Sequence, residues 1–270
     1  MVSSKKKMHN DSVFFMNADI VGDIMENVMV HDIREEYLEL DLTGCRLTFD
    51  DGLFSQFYYY PLLRRQSAGE MVYFIISSCI RPGEYRGMFA GEYIPFQKSK
   101  KYMYKALLED DFSAFMRVEE LQELAGMKDV RLGVHSHFHD VIPTRNHPLK
   151  KKRPSRWKLE RIGCDENDLQ SEYSIRSKLA FQGYTYRRGG FVPRPRQQWL
   201  DYIKYDTEAA LQWFATFLGQ TPDTYCFPLN EHNRILIDIL KTFGFRHFYS
   251  RRLIPFCEEI ICRTDIDSRI

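Results

Sequence analysis

At 270 residues, 44% hydrophobic and 14% aromatic, the chain can bury a sizeable core and is too apolar to be disordered. Its formal net charge of +1 gives no bulk electrostatic reason for a nucleic-acid or anionic-membrane partner. No run approaches the ~18 apolar residues of a membrane span, and no apolar stretch follows Lys5-Lys6-Lys7 to make a signal peptide. The expected location is therefore cytoplasmic. Six scattered cysteines with no C-x-x-C pair argue against a disulfide framework, and Cys45 and Cys79, which flank apolar runs, read as buried thiols.

Residues 1–44 are expected to form an extension packing on the domain that follows. Strand-like runs then recur at Leu38 to Leu42, Cys45 to Phe49, Met71 to Ser77, Val130 to Val134, Tyr225 to Phe227 and Arg246 to Tyr249. Between them lie helical patterns. Phe54 to Gln66 is rich in apolar and aromatic residues, and Val118 to Leu124 is amphipathic. Asp206 to Leu218 puts Ala209, Ala210, Trp213, Phe214 and Phe217 on one stripe, and Asn233 to Phe243 stops at Gly244. This alternation predicts an α/β parallel sheet or barrel in a single domain. Two segments, near 80–111 and 143–172, break the rhythm and are expected to be long loop insertions. The basic run Lys150-Lys151-Lys152-Arg153 in the second reads as a solvated loop.

Two clusters carry chemistry. The run Leu47-Thr48-Phe49-Asp50-Asp51-Gly52 ends a strand in two adjacent carboxylates at a glycine turn. Such a pair does not ionise cheaply unless a cation shares the site. The second cluster, His135-Ser136-His137-Phe138-His139, follows an apolar run, and its i, i+4 imidazoles converge in either a strand or a helix. One carboxylate and two imidazoles suffice to hold a divalent metal, zinc first among them, and leave a spare carboxylate as general base. A softer third element, Phe227-Pro228-Leu229-Asn230-Glu231-His232-Asn233, offers His232 as a proton donor and Asn233 as a helix cap.

In this order the motifs resemble those of polysaccharide deacetylases with NodB homology, carbohydrate esterase family 4. The similarity runs from about residue 45 to 265, through Leu47 to Gly52, Gly133 to His139 and Tyr225-Cys226-Phe227-Pro228. The resemblance implies a distorted (β/α)7 barrel with its site at the C-terminal ends of the strands. Asp51, His135 and His139 match the family's metal ligands, and Asp50 matches its catalytic base. Arg187, in Tyr186-Arg187-Arg188-Gly189-Gly190, is the expected match for an arginine that orients the base. The family's late histidine has no counterpart, because no histidine follows His247. His232 is therefore the expected acid, with Pro228 and Asn230 at the substrate. The implied reaction is metal-dependent removal of an acetyl or formyl group from an N-acylated amino sugar. That sugar would be free, nucleotide-linked or lipid-linked, a precursor of surface polysaccharide.

Other readings stay open on sequence alone. One is a non-catalytic sugar- or metal-binding relative that lacks the acid. A second is another metal hydrolase built on His137-Phe138-His139 as an H-x-H pair. A 2-His-1-carboxylate iron site uses the same ligand set, although Asp50 beside the ligand aspartate favours hydrolysis.

Overall fold

The computed structural model describes residues 25–67, 69–145, 153–169, 172–251 and 260–270. Its centre is an eight-stranded parallel sheet ordered β11-β10-β9-β4-β3-β2-β1-β12. In chain order these strands are β1 (Glu26–Val30), β2 (Cys45–Phe49), β3 (Met71–Ile75), β4 (Val130–Val134), β9 (Thr224–Cys226), β10 (His247–Ser250), β11 (Ile260–Cys262) and β12 (Thr264–Asp265). The two ends of that order are one piece of chain. β11 pairs with β10 through Phe248 and Ile260, and β12 pairs with β1 through Val28 and Thr264. Only Arg263 stands between β11 and β12, so the run 260–265 closes the sheet on itself. The wall is made by seven stretches of chain, and the expected distorted (β/α)7 barrel is the observed fold.

Strands covered on both faces read as continuous apolar runs, and β3, Met-Val-Tyr-Phe-Ile, is buried at every position. Helices clothe the barrel: α1 (Phe54–Tyr58), α2 (Tyr60–Gln66), α4 (Val118–Ala125), α6 (Arg196–Leu218) and α7 (Arg234–Thr242). The helical stretch expected over 54–66 is two helices that part at Tyr59. Its aromatic run packs inward, with Phe57, Tyr58 and Tyr59 all buried. Among the described residues no helix is long and apolar enough to cross a membrane.

Several expectations are corrected. Residues 26–30 are not part of a separate extension but a strand of the barrel wall, in register with β2 from Glu26↔Cys45 to Val30↔Phe49. Residues 1–24, Lys150–Lys152 and Cys257 lie outside the described residues. The alternating Leu38 to Leu42 run forms no strand. A 3₁₀ turn at Glu35–Glu39 takes its first residues, and Leu38 and Leu42 are both buried. α6 starts at Arg196, because Trp199 and Ile203 extend its buried stripe backwards.

Both insertions hold structure. The first carries α3 (Ser99–Leu108) and the second α5 (Arg156–Ile162), and these two helices pack on each other. The second insertion is bounded by the antiparallel pair β5 (Val141–Arg145) and β6 (Tyr173–Ser177). A further hairpin joins β7 (Tyr184–Arg187) to β8 (Gly190–Pro193).

Candidate active site

Asp50 and Asp51 sit where β2 leaves the sheet. Asp51 and Gly52 take left-handed backbone, φ 77° and 83°, and the two carboxylates meet different partners, Arg263 for Asp50 and Tyr102 for Asp51. A Cβ on Gly52 would also lie 3.2 Å from both Ile75 and Ile80. Gln56 fixes the turn from α1. Its Nε2 donates to the Asp50 carbonyl at 2.6 Å and to the His31 carbonyl at 2.9 Å, while its Oε1 accepts from the Leu53 N–H at 3.1 Å.

The histidine cluster follows β4 as a tight loop, with left-handed backbone at Ser136 and His139, φ 70° and 51°. One buried carboxylate from α6 holds it. Asp206 accepts from the Ser136 hydroxyl at 2.9 Å, the His137 N–H at 3.1 Å and the Phe138 N–H at 3.0 Å. The Ser136 oxygen in turn accepts from the His139 N–H at 2.9 Å. Burial pushes the Asp206 carboxyl up to about 6, against these hydrogen bonds, which pull it down. Sequence reasoning had no signal for Asp206 beyond an acid on a helix.

Asp51, His135 and His139 are all buried and bring their ligand atoms within 4.8 Å of one another. The Nδ1 of His135 lies 3.0 Å from the Cys226 carbonyl oxygen, which can only accept, so the ring proton sits on Nδ1. Nε2 is left as a lone-pair donor, 3.6 Å from Asp51 Oδ1. Burial lowers both His135 and His139 to about 4, so both are neutral at neutral pH, as metal ligation requires. The Nδ1 of His139 is buried with no hydrogen-bond partner. A neutral imidazole pair, a carboxylate and an orphaned nitrogen in one buried pocket fit a divalent cation.

A second set, Asp50, His135 and Cys226, also converges. It suits a cation poorly, because the Arg263 guanidinium already lies 2.9 Å from the Cys226 sulfur and fills that side with positive charge. Arg263 is fully buried and grips Asp50 at both oxygens, Nη1 to Oδ1 at 2.6 Å and Nη2 to Oδ2 at 2.9 Å. Burial alone would raise the Asp50 carboxyl, but Arg263 and then His135 hold it well below the usual carboxylate range. Asp50 is therefore a fixed, ionised acceptor beside the triad.

The arginine on Asp50 is thus Arg263 and not Arg187. Arg187 ends β7 on an exposed hairpin whose turn is set by left-handed Arg188 and Gly189. Asn230 sits in a strained turn, φ 54°, and its Oδ1 accepts from the Arg251 N–H at 2.7 Å and from Arg263 at 3.3 Å. Pro228 is buried beneath that turn. His232 is half-buried with its ring 4.8 Å from that of Phe227. His137 turns away from the triad, its Nδ1 2.8 Å from the Ser77 hydroxyl, so the H-x-H pair does not act as one ligand unit.

Both insertions reach the site. From α3, the buried Tyr102 donates its hydroxyl to Asp51 Oδ2 at 2.6 Å. From α5, Trp157 packs 6.1 Å from His139. Asp140, next after His139, is tied to Arg161 at 2.7 Å, Lys178 at 3.0 Å and Tyr202 at 2.9 Å. Neither insertion had a sequence signal pointing to these contacts.

No protein-family model matches the chain, and no curated protein does. Solved structures do. The deacetylase domain of BpsB from Bordetella bronchiseptica aligns over 82% of this chain and 71% of its own, with TM-score 0.53 and 17% identity. A de-N-acetylase from Aggregatibacter actinomycetemcomitans aligns over 88% of this chain and 93% of its own, with TM-score 0.55 and 12% identity. With its closed barrel and these neighbours, the chain has the NodB-like polysaccharide deacetylase fold.

Proposed function

We propose that the protein is a metal-dependent hydrolase that removes an N-acyl group, acetyl or formyl, from an amino sugar of a polysaccharide or its precursor. The observation that carries this reading is the ionised Asp50, clamped by Arg263 and adjacent in sequence to the Asp51, His135 and His139 triad. A site for metal binding alone has no use for a second, separately oriented carboxylate. Hydrolysis needs one, to take the proton of the attacking water.

A divalent metal held by Asp51, His135 and His139, zinc by preference, would supply Lewis acidity at the acyl carbonyl and at the water. The chain's own groups do the rest. Arg263 keeps Asp50 ionised and aimed, Tyr102 fixes the second oxygen of Asp51, and Asp206 holds the histidine loop. Low-identity likeness to a deacetylase domain and a de-N-acetylase supports the deacylation reading. A sugar substrate is supported by a stacked aromatic pair beside the histidines, Phe138 and the 58% exposed Tyr205, with ring centroids 5.5 Å apart.

The test is metal content by elemental analysis together with acetate and formate release from N-acylated amino sugars, free, oligomeric, nucleotide-linked and lipid-linked. Metal lost in Asp51→Ala and release lost in Asp50→Asn with metal retained are the expected results. Bound metal with no release from any donor would count for the non-catalytic relative, and no stoichiometric metal after zinc or cobalt is added would overturn the site.

A further inference from the structure

Helix α5, from the second insertion, carries three cations, and two of them are engaged by acids. Arg156 pairs with Glu160 at 2.6 Å and Arg161 with Asp140 at 2.7 Å. The third, Lys158, is half-buried beside the metal triad, and among the described residues no hydrogen bond or ion pair ties it down. We infer that Lys158, with Lys100 of α3, forms an anion subsite at the rim of the active site, and that the amino sugar cleaved there carries a phosphate. This inference rests on the deacylase reading and deepens it by naming the charge of the substrate.

Ring contacts and electrostatics place Lys158. Trp157, its neighbour on α5, packs 6.1 Å from the His139 ring, and the Lys158 Nζ lies 5.4 Å from the centroid of that indole. Burial first, then the charges of His135 and Lys158, lower the His139 imidazole. Burial also lowers the Lys158 amine, against the pull of Glu231, and Lys100 adds to the lowering. Lys158 thus faces the loop after β4, the turn after β9 and the first turn of α3. Lys100 stands on that turn, exposed, two residues before the Tyr102 that bonds Asp51.

The acids around Lys158 already have partners. The Glu231 carboxylate takes Arg176 at 2.5 Å and the Ser177 N–H at 2.7 Å. Asp140 is shared among Arg161, Lys178 and Tyr202. Asp50 is clamped by Arg263, and Asp51 receives Tyr102. An ammonium drawn out of water without an acid beside it is costly, and a bound anion removes that cost.

The residue type narrows the anion. A planar carboxylate is matched by the two-pronged guanidinium, whereas an ammonium is a compact point charge with rotatable donors. Two lysines converging from separate helices suit the spread charge of a phosphate. Nucleotide-linked and lipid-linked sugars share that group at the same end of the sugar.

The experiment measures binding apart from turnover. Calorimetric titrations use zinc-loaded Asp50→Asn, alone and combined with Lys158→Gln, Lys158→Arg or Lys101→Gln. Metal content and thermal melting are measured on every variant. The ligands are N-acetylglucosamine 1-phosphate, the uncharged methyl glycoside of N-acetylglucosamine, and N-acetylmuramic acid, which carries a carboxylate. The expected result is a preference of about 10–100-fold for the phosphate over the uncharged sugar, the size of one charge-assisted hydrogen bond. Lys158→Gln should abolish the preference. Lys158→Arg should keep it, as should Lys101→Gln, at an exposed lysine of the same helix as Lys100.

Equal affinity for the charged and uncharged sugars would overturn the inference. So would a preference that survives Lys158→Gln, which would put the phosphate on the metal instead. A preference for the carboxylate alone would overturn the assignment to phosphate. Values of kcat/KM for wild type on nucleotide-linked, lipid-linked and uncharged oligomeric donors then separate the sources. A higher value on either phosphate-linked donor supports the inference and says which link the enzyme uses. The highest value on the uncharged oligomer would overturn it and leave deacylation standing. If wild type with its full metal complement cleaves no donor while the Lys158-dependent preference holds, the deacylase reading fails and the anion subsite alone is upheld.

Discussion

Arg263 holds Asp50 by both oxygens across 213 positions of sequence, at 2.6 and 2.9 Å, with neither side chain more than 2% exposed. The contact exists because the run 260–265 closes the barrel. One half pairs with β10 and the other with β1, and the residue at the changeover projects into the lumen. Barrel closure and the orientation of Asp50 are thus a single structural event.

Substitution of Arg263 should therefore affect both folding and catalysis. Arg263→Met leaves a buried carboxylate without its cation and is expected to cost about 3–5 kcal/mol in denaturant unfolding. Arg263→Lys keeps the charge but loses the two-pronged geometry. It should fold, and lose about 100-fold in deacylation through misplacement of Asp50. In the lysine variant the acid limb of the pH–rate profile should also move to higher pH. Burial raises the Asp50 carboxyl, and the two guanidinium hydrogen bonds that help to hold it down are gone. A lysine variant with wild-type rate and profile would show that Asp50 is not the working base.

Tyr102 tests whether the first insertion belongs to the site. Its hydroxyl donates to Asp51 Oδ2 at 2.6 Å, and burial followed by the neighbouring Asp51 raises the phenol well above its ordinary value, so it remains a donor. Tyr102→Phe removes one hydrogen bond and keeps the ring packed on Phe115. Groups that orient a metal ligand typically contribute about 10–100-fold to affinity, and a loss of that size is expected in chelator competition. Unchanged affinity would mean that α3 only covers the site.

Much of this was legible in the sequence, and the division has a physical cause. Asp50, Asp51, His135 and His139 lie in two local motifs at strand ends, and local motifs survive reading in one dimension. The Arg263 contact depends on closure between distant strands, and the pattern Ile-Ile-Cys-Arg-Thr-Asp announces nothing. Arg187 was favoured because it stands beside a glycine turn. The turn is real, but it faces solvent. β1 was missed because Val28-Met29-Val30 is short and carries no turn signal. His31 was a lone histidine until the β1–β2 register set it beside Asp50.

Asp206 gives a pH prediction with a definite sign. Its folded-state value, about 6, lies above the ordinary 3.8, so between those values the folded chain keeps a proton that the unfolded chain has released. The stability this group contributes is complete below about 4, falls as pH rises through the window, and is level above about 6. Asp206→Asn removes that titration while other groups cancel in the comparison. Wild type should gain on Asp206→Asn by up to about 3 kcal/mol as pH falls from about 6 to 4, in unfolding of the metal-free protein. A gap that stays flat would show that the histidine loop is not held by a costly buried charge.

Gly133 links packing to the metal site. It lies on β4 two residues before His135, and a Cβ there would come within 2.8 Å of the Phe74 ring and 2.9 Å of the Thr224 carbonyl oxygen. Phe74 is fully buried and Thr224 begins β9, so neither has room to withdraw. The strands must part instead, near the Val134↔Tyr225 register pair. Overpacking of this kind typically costs about 1–3 kcal/mol. Because His135 Nδ1 bonds to the Cys226 carbonyl across the same seam, Gly133→Ala should also weaken metal binding. Loss of stability with unchanged metal affinity would show that β4 and β9 adjust below the site without moving His135.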